Sequence, residues 1–139
     1  MSRGKPNWQP ISKLPLIGPM IDGLLEETEK QCQNLQSIRA TPQLLDNYTI
    51  GGILEVYSEQ AGDLWLFEEQ LFRWKSLDLT PAQRHEIERL ANQLAIIRER
   101  IATILSLAQE WKQGLIETVL AKGALERSLE FPLGKQKPN

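Results

Sequence analysis

The amino-acid sequence predicts an all-α protein: a helical bundle built on a long antiparallel helical hairpin, residues 46–76 and 81–122, with an N-terminal helix, 17–39, packed across it. Three observations carry this. Strand signals are almost absent, since no window shows sustained alternation of apolar and polar residues and no Asn-Gly or Asp-Gly hairpin turn occurs. Helical periodicity fills the chain instead. The two most periodic segments are joined by only a few residues, and so short a link makes them antiparallel neighbours.

The chain divides into a basic, Pro-containing arm (1–14), a helical-bundle domain (15–123) and a tail (124–139) expected to hold one short helix before disorder. The arm carries Arg3, Lys5 and Lys13 and is expected to be poorly ordered at its tip. In the first helix Ile17, Ile21, Leu24, Leu25, Cys32, Leu35 and Ile38 form a helical stripe, weakened by Thr28 and Gln31. Thr41-Pro42 then reads as a cap followed by a proline suited to a first helical position.

The second helix steps through Ile50, Ile53, Tyr57, Gln60, Leu64, Phe67, Leu71 and Trp74 at alternating intervals of three and four, a heptad seam with Gln60 as its polar member. Leu54, Ala61, Trp65 and Phe72 widen its apolar face. Gly51-Gly52 is the expected place for a kink, because each glycine costs about 1 kcal/mol relative to alanine in a helix. At about 1.5 Å per residue this helix is about 46 Å long.

Thr80-Pro81-Ala82-Gln83 is a helix-start signature, with a capping Thr, Pro at the first position and a Gln able to reach back. From it run Ile87, Leu90, Leu94, Ile97, Ile101, Ile104, Ala108, Trp111 and Leu115, again at alternating intervals of three and four, with His85, Asn92, Glu99, Ser106 and Gln113 on the opposite face. At Gly114 the pattern changes: Ile116, Val119 and Leu120 move the apolar face toward what had been solvent. A break near Gly114 and an end at Lys122-Gly123 are expected.

Composition bounds the function. The 139 residues are 41% hydrophobic and 24% charged, those of one ordinary globular domain with a core of its own. The single Cys32 has no disulfide partner within the chain, which points to a reducing, cytoplasmic setting. The opening has no apolar core of signal-peptide length, and no apolar run approaches a membrane span. Residues 41–79 hold seven acidic against two basic side chains, net −5, whereas 80–139 hold nine basic against seven acidic, net +2. That asymmetry favours pairing of the chain with itself.

Few chemistries fit. His85-Glu86 opens like a zinc-protease helix, but Arg89 stands where the second His would ligate, and the chain has no other His. No cofactor loop of the dinucleotide or phosphate-binding type occurs, and no cofactor is expected. Cys32 lies in an apolar stripe and reads as a small hydrophobe. A carboxylate site for Mg²⁺ is an alternative, using Glu26 and Glu29 of the first helix with Glu55 and Glu59 of the second. Glu26-x-x-Glu29 resembles the first half of the motif of the all-α nucleotide pyrophosphohydrolases. Glu55-Val-Tyr-Ser-Glu59 departs from the second half, and no Glu-x-x-Asp follows. A further alternative is a small DNA-associated regulator using Arg84, Arg89, Arg98 and Arg100, but interleaved Glu86, Glu88 and Glu99 give those arginines partners of their own.

What remains is a non-enzymatic helical interaction or regulatory protein acting through self-association as a homodimer and through partner binding. Its expected contact surface is Trp65 and Phe72 on the second helix with Ile116 and Leu120 on the third, because aromatic residues concentrate at interface centres.

Overall fold

The structure, a computed structural model, describes residues 5–39 and 46–134, with side chains to 125. It is all-α. A single turn of 3₁₀ helix, Ile11–Lys13, leads into α1 (Leu14–Ile38), followed by α2 (Asn47–Lys75) and α3 (Pro81–Gly134). Among the described residues there is no strand. The predicted Thr41-Pro42 cap lies outside the described residues.

Both shorter helices pack on α3, and α1 and α2 approach each other far less closely. Ion pairs fix the directions. Asp22 and Glu29 of α1 meet Arg89 and Arg100 of α3, so the two helices run parallel. Glu68 of α2 meets Arg98, and Leu71 and Lys75 lie beside Leu94 and Ala91, so α2 runs antiparallel to α3. The result is an up-down-up bundle with α3 as its spine.

The seam of α3 is the core. Ile87, Leu90, Leu94, Ile97, Ile101, Ile104, Ala108 and Trp111 are all buried, and the next seam position, Leu115, is only half-buried. The α2 seam buries Ile50, Ile53, Tyr57, Leu64, Leu71 and Trp74. Its two exceptions, Gln60 and Phe67, both face the gap toward α1. On α1, Thr28 does not interrupt the stripe but belongs to it. It is fully buried, and its hydroxyl donates to the carbonyls of Leu24 and Leu25 at 3.0 Å, so burial leaves no unpaired donor. Cys32 is buried as expected of a small hydrophobe.

Helix ends follow local chemistry. Asp46 caps α2, accepting from the Thr49 amide at 2.7 Å, a bond that holds its carboxyl below the ordinary range. At the start of α3 the reciprocal capping box forms: the Gln83 amide donates to Thr80 Oγ1 at 3.1 Å, and the Thr80 amide donates to Gln83 Oε1 at 2.9 Å. Thr80→Ala is expected to lower stability by about 1 kcal/mol, read as a shift of the urea midpoint at constant slope. An unchanged midpoint would mean that Pro81 and the preceding turn start the helix alone.

Three sequence expectations need correction. α1 begins at Leu14, not near residue 17, and carries Pro15 in its first turn and Pro19 internally. A proline in the first turn removes no intrahelical bond, so Pro15 is no barrier. α2 runs without interruption through Gly51-Gly52, both exposed, where packing on either side supplies what glycine propensity lacks. Finally, α3 neither breaks at Gly114 nor ends at Lys122-Gly123, and the described part of the tail, to residue 134, continues it rather than forming a separate short helix. It is one helix of 54 residues. No glycine among the described residues has a positive φ, so none forms the left-handed cap that would stop it. The change of apolar face at Gly114 is a change of sequence along an unbroken helix.

Candidate interaction surface

At about 1.5 Å per residue α3 is about 81 Å long, and it outlasts both of its partners. Past Trp111 its side chains leave the core. Ile116, Val119, Leu120 and Leu125 are 43%, 67%, 64% and 60% exposed. Leu115, Ile116, Val119 and Leu120 fall on one stripe with Gly123, turned roughly a quarter of the circumference from the seam facing α1 and α2. Among the described residues nothing in the chain covers Ile116, Val119 and Leu120, whereas Leu115 is half-buried against the end of the core. Two of the four predicted interface residues, Ile116 and Leu120, lie on it.

The other two lie elsewhere. Trp65 and Phe72 occupy the outer face of α2, and Phe72 borders a shallow groove with Glu68, Leu71, Lys75, Ala91 and Leu94. Because α2 runs back along α3, this groove is about 37 Å from Ile116 and Leu120 along the helix axis. The predicted residues therefore form two surfaces, Trp65 and Phe72 on α2 beside the first half of α3, and Ile116 and Leu120 on its second half.

Trp65 is also partly taken by its own chain. The arm, expected to be poorly ordered at its tip, lies along α2 from residue 5 onward, and the tip itself is outside the described residues. The Gln9 amide donates to Gln70 Oε1 at 2.7 Å, Gln70 Nε2 donates back to the Gln9 carbonyl at 3.3 Å, and the Trp74 indole N–H donates to the same carbonyl at 2.9 Å. Trp8 then meets Trp65 edge-on, with centroids 6.1 Å apart, and the Arg73 guanidinium lies 4.5 Å from the Trp8 ring. Trp65 keeps 47% of its surface and Phe72 67%. The sequence signalled this clasp only through an unexplained Trp8 in a proline-containing arm and a polar Gln70 beside the seam.

The arginines of α3 are largely engaged. Arg89 reaches Asp22 at 3.0 Å and Glu86 at 2.8 Å, and Gln93 donates to Asp22 as well. Arg98 reaches Glu68 at 2.8 Å. The expected pairing is thus real, but α1 supplies acidic partners alongside α2. Gly18 lets this end of α1 sit close to α3: a Cβ there would meet Glu86 Oε2 at 3.1 Å.

Hydrogen bonds from Arg89, reinforced by its charge, hold both the Asp22 and Glu86 carboxyls below their ordinary range. A lowered folded pKa contributes stability that is complete above the unfolded value and is lost as pH falls through the folded one. Stability should therefore decline below about pH 5, and Arg89→Gln should flatten that part of the profile. With these side chains roughly two-fifths exposed, solvent screening limits the effect to about 1 kcal/mol or less. Urea midpoints from pH 3 to 7 for both proteins check this, and an equal acid slope in the variant would contradict it.

The carboxylates Glu26, Glu29, Glu55 and Glu59 do not assemble. Glu26, Glu55 and Glu59 are exposed, and Glu29 is directed toward Arg100 at 4.0 Å. Among the described residues no three His, Cys, Asp or Glu side chains converge as a metal-binding group. His85 is exposed in the first turn of α3. No described helix is long and apolar enough to cross a membrane. Comparison with protein-family models, with curated proteins and with solved structures finds no match for the chain.

Proposed function

We propose that the protein is a non-enzymatic helical interaction module of the cytoplasm that associates with a second copy through the extension of α3. The observation that carries this reading is the exposed apolar stripe on residues 115–123, held on a helix that has left its bundle. In proteins most helical stability comes from tertiary packing of an apolar face rather than from propensity, and the extension has no such packing from its own bundle. A second copy presents the same stripe, and a two-fold pairing covers both at once. Phe72 and its groove, beside the first half of α3, are left for a different protein partner, which makes the chain an adaptor with two separate surfaces. The buried, unpaired Cys32 fits a reducing compartment.

Light scattering over a hundredfold dilution tests this reading. The expected result is twice the 15.9 kDa chain mass at high concentration, falling toward one chain on dilution. A constant single-chain mass at all concentrations would contradict self-association.

A further inference from the structure

The side of α2 that holds the arm is built to take an extended main chain. Gln70 and Trp74 are only 5% and 1% exposed, yet both aim polar groups at the same arm residue. The Gln70 side-chain amide accepts from the Gln9 N–H and donates to the Gln9 carbonyl, and the Trp74 indole N–H donates to that carbonyl as well. Buried polar groups need partners, and here the arm backbone supplies them. None of the three bonds uses an arm side chain. Gln9 turns its own side-chain amide back to the Asn7 carbonyl at 2.8 Å, so α2 reads its main chain and not its identity.

Trp8 is read as a side chain. Trp65 meets it edge-on, and the Arg73 guanidinium that lies over its ring is itself tied to Glu69 at 3.2 Å. Pro10 then fixes the direction of the chain. Its φ of −70° and ψ of 159° are those of a polyproline II segment, a preformed extended shape that loses little entropy on binding. The pattern recognised is an aromatic residue, then any residue with a main-chain N–H, then proline. The arm does not fill the site: a groove of about 210 Å³ stays open between Pro6 and Asn7 on one side and Ile17, Leu66 and Phe67 on the other.

We propose that this face of α2 is a peptide-binding site for an extended Trp-x-Pro segment of a partner protein, and that the arm is its resident competitor. A tethered segment acts at an effective concentration on the order of millimolar. A partner's segment therefore displaces the arm only by binding better, as one with an apolar side chain in the open groove would. The site shares no residue with the Phe72 groove and does not depend on self-association through α3.

The test uses the full chain, labelled with nitrogen-15, and the unlabelled capped peptide Lys-Pro-Asn-Trp-Gln-Pro as probe. The Gln70 side-chain amide and the Trp74 indole N–H are the readout, because both bond to the arm. Trp8→Ala combined with Gln9→Pro removes the ring and the amide donor from the arm at half-buried positions outside the core, and both signals should move. Adding the peptide to this variant should return them saturably to their native positions, at an affinity at least tenfold above that for the native chain. The same peptide with alanine for tryptophan should bind at least tenfold more weakly. Signals that the double substitution leaves in place, or that the peptide fails to restore, would overturn the proposal. So would equal affinity for the native and variant chains, or equal affinity of the two peptides.

Discussion

Trp74→Ala is expected to destabilise the protein by about 3–5 kcal/mol, the largest loss from any one side chain outside α3. Trp74 is 1% exposed at the last turn of α2 and is among the largest fully buried side chains in the bundle. Truncation leaves a cavity between α2 and α3 near the loop that joins them. It also removes the donor to the Gln9 carbonyl, one of three hydrogen bonds that hold the arm. A loss of that size is a large part of the roughly 5–15 kcal/mol that such a domain has, and the melting temperature should fall by about 10–17 °C. Residues 5–9 should become open to proteolysis at the same time.

Trp74→Phe separates the two roles. It keeps most of the packing and loses the indole N–H, for an expected loss nearer 1 kcal/mol. If Phe and Ala prove equally damaging, the hydrogen bond to the arm dominates. If Ala costs under 1 kcal/mol, the seam is not what holds α2 to α3.

The double substitution Ile116→Glu with Leu120→Glu is expected to abolish self-association while leaving the bundle folded. Each side chain removed from an interface forfeits about 1.5–3 kcal/mol of apolar burial, and facing carboxylates in two copies add repulsion. The combined loss exceeds the roughly 2.7 kcal/mol that corresponds to a hundredfold change in dimer affinity. Helical circular dichroism from the bundle should persist, because neither side chain reaches the core. The melting temperature should stop depending on protein concentration, as it must once folding and association are unlinked. An unchanged solution mass in this variant would move the contact to another surface, with Phe72 the first to examine.

How far the sequence foretold these features differs from element to element. The seam of α3 was legible residue by residue, because a heptad pattern over so many turns has one structural solution: a buried face against other helices. The same reasoning located His85 on the solvent side and Cys32 within an apolar stripe. It misplaced the end of α3, because Gly114 and Lys122-Gly123 look like stop signals when read locally. Whether a glycine stops a helix depends on its taking a positive φ, and none among the described residues does.

The arm was illegible for a different reason. Its hold on α2 consists of main-chain bonds from Gln9 to residues more than 60 positions away, and no periodicity encodes such contacts. Gln60 was visible as the one polar member of the α2 seam. Its consequence, a gap toward α1 with an unsatisfied acceptor, emerged only once the register of the two helices was known. Likewise the spacing put Trp65 and Phe72 on the flank of the α2 face and Ile116 and Leu120 on a rotated face of α3, and all four are exposed. Their separation along α3 follows from the antiparallel course of α2, which spacing alone does not convert into distance.

Amide hydrogen exchange of residues 112–125, measured at two protein concentrations a hundredfold apart, tests the central claim most directly. Exchange reports local opening, and a helical extension that lies in water without a partner opens readily. If the extension is the contact between two copies, its amides will be protected at the higher concentration and will exchange markedly faster at the lower one, while those of residues 90–108 stay protected at both. Exchange of 112–125 at the same fast rate at both concentrations, beside a protected bundle, would contradict it.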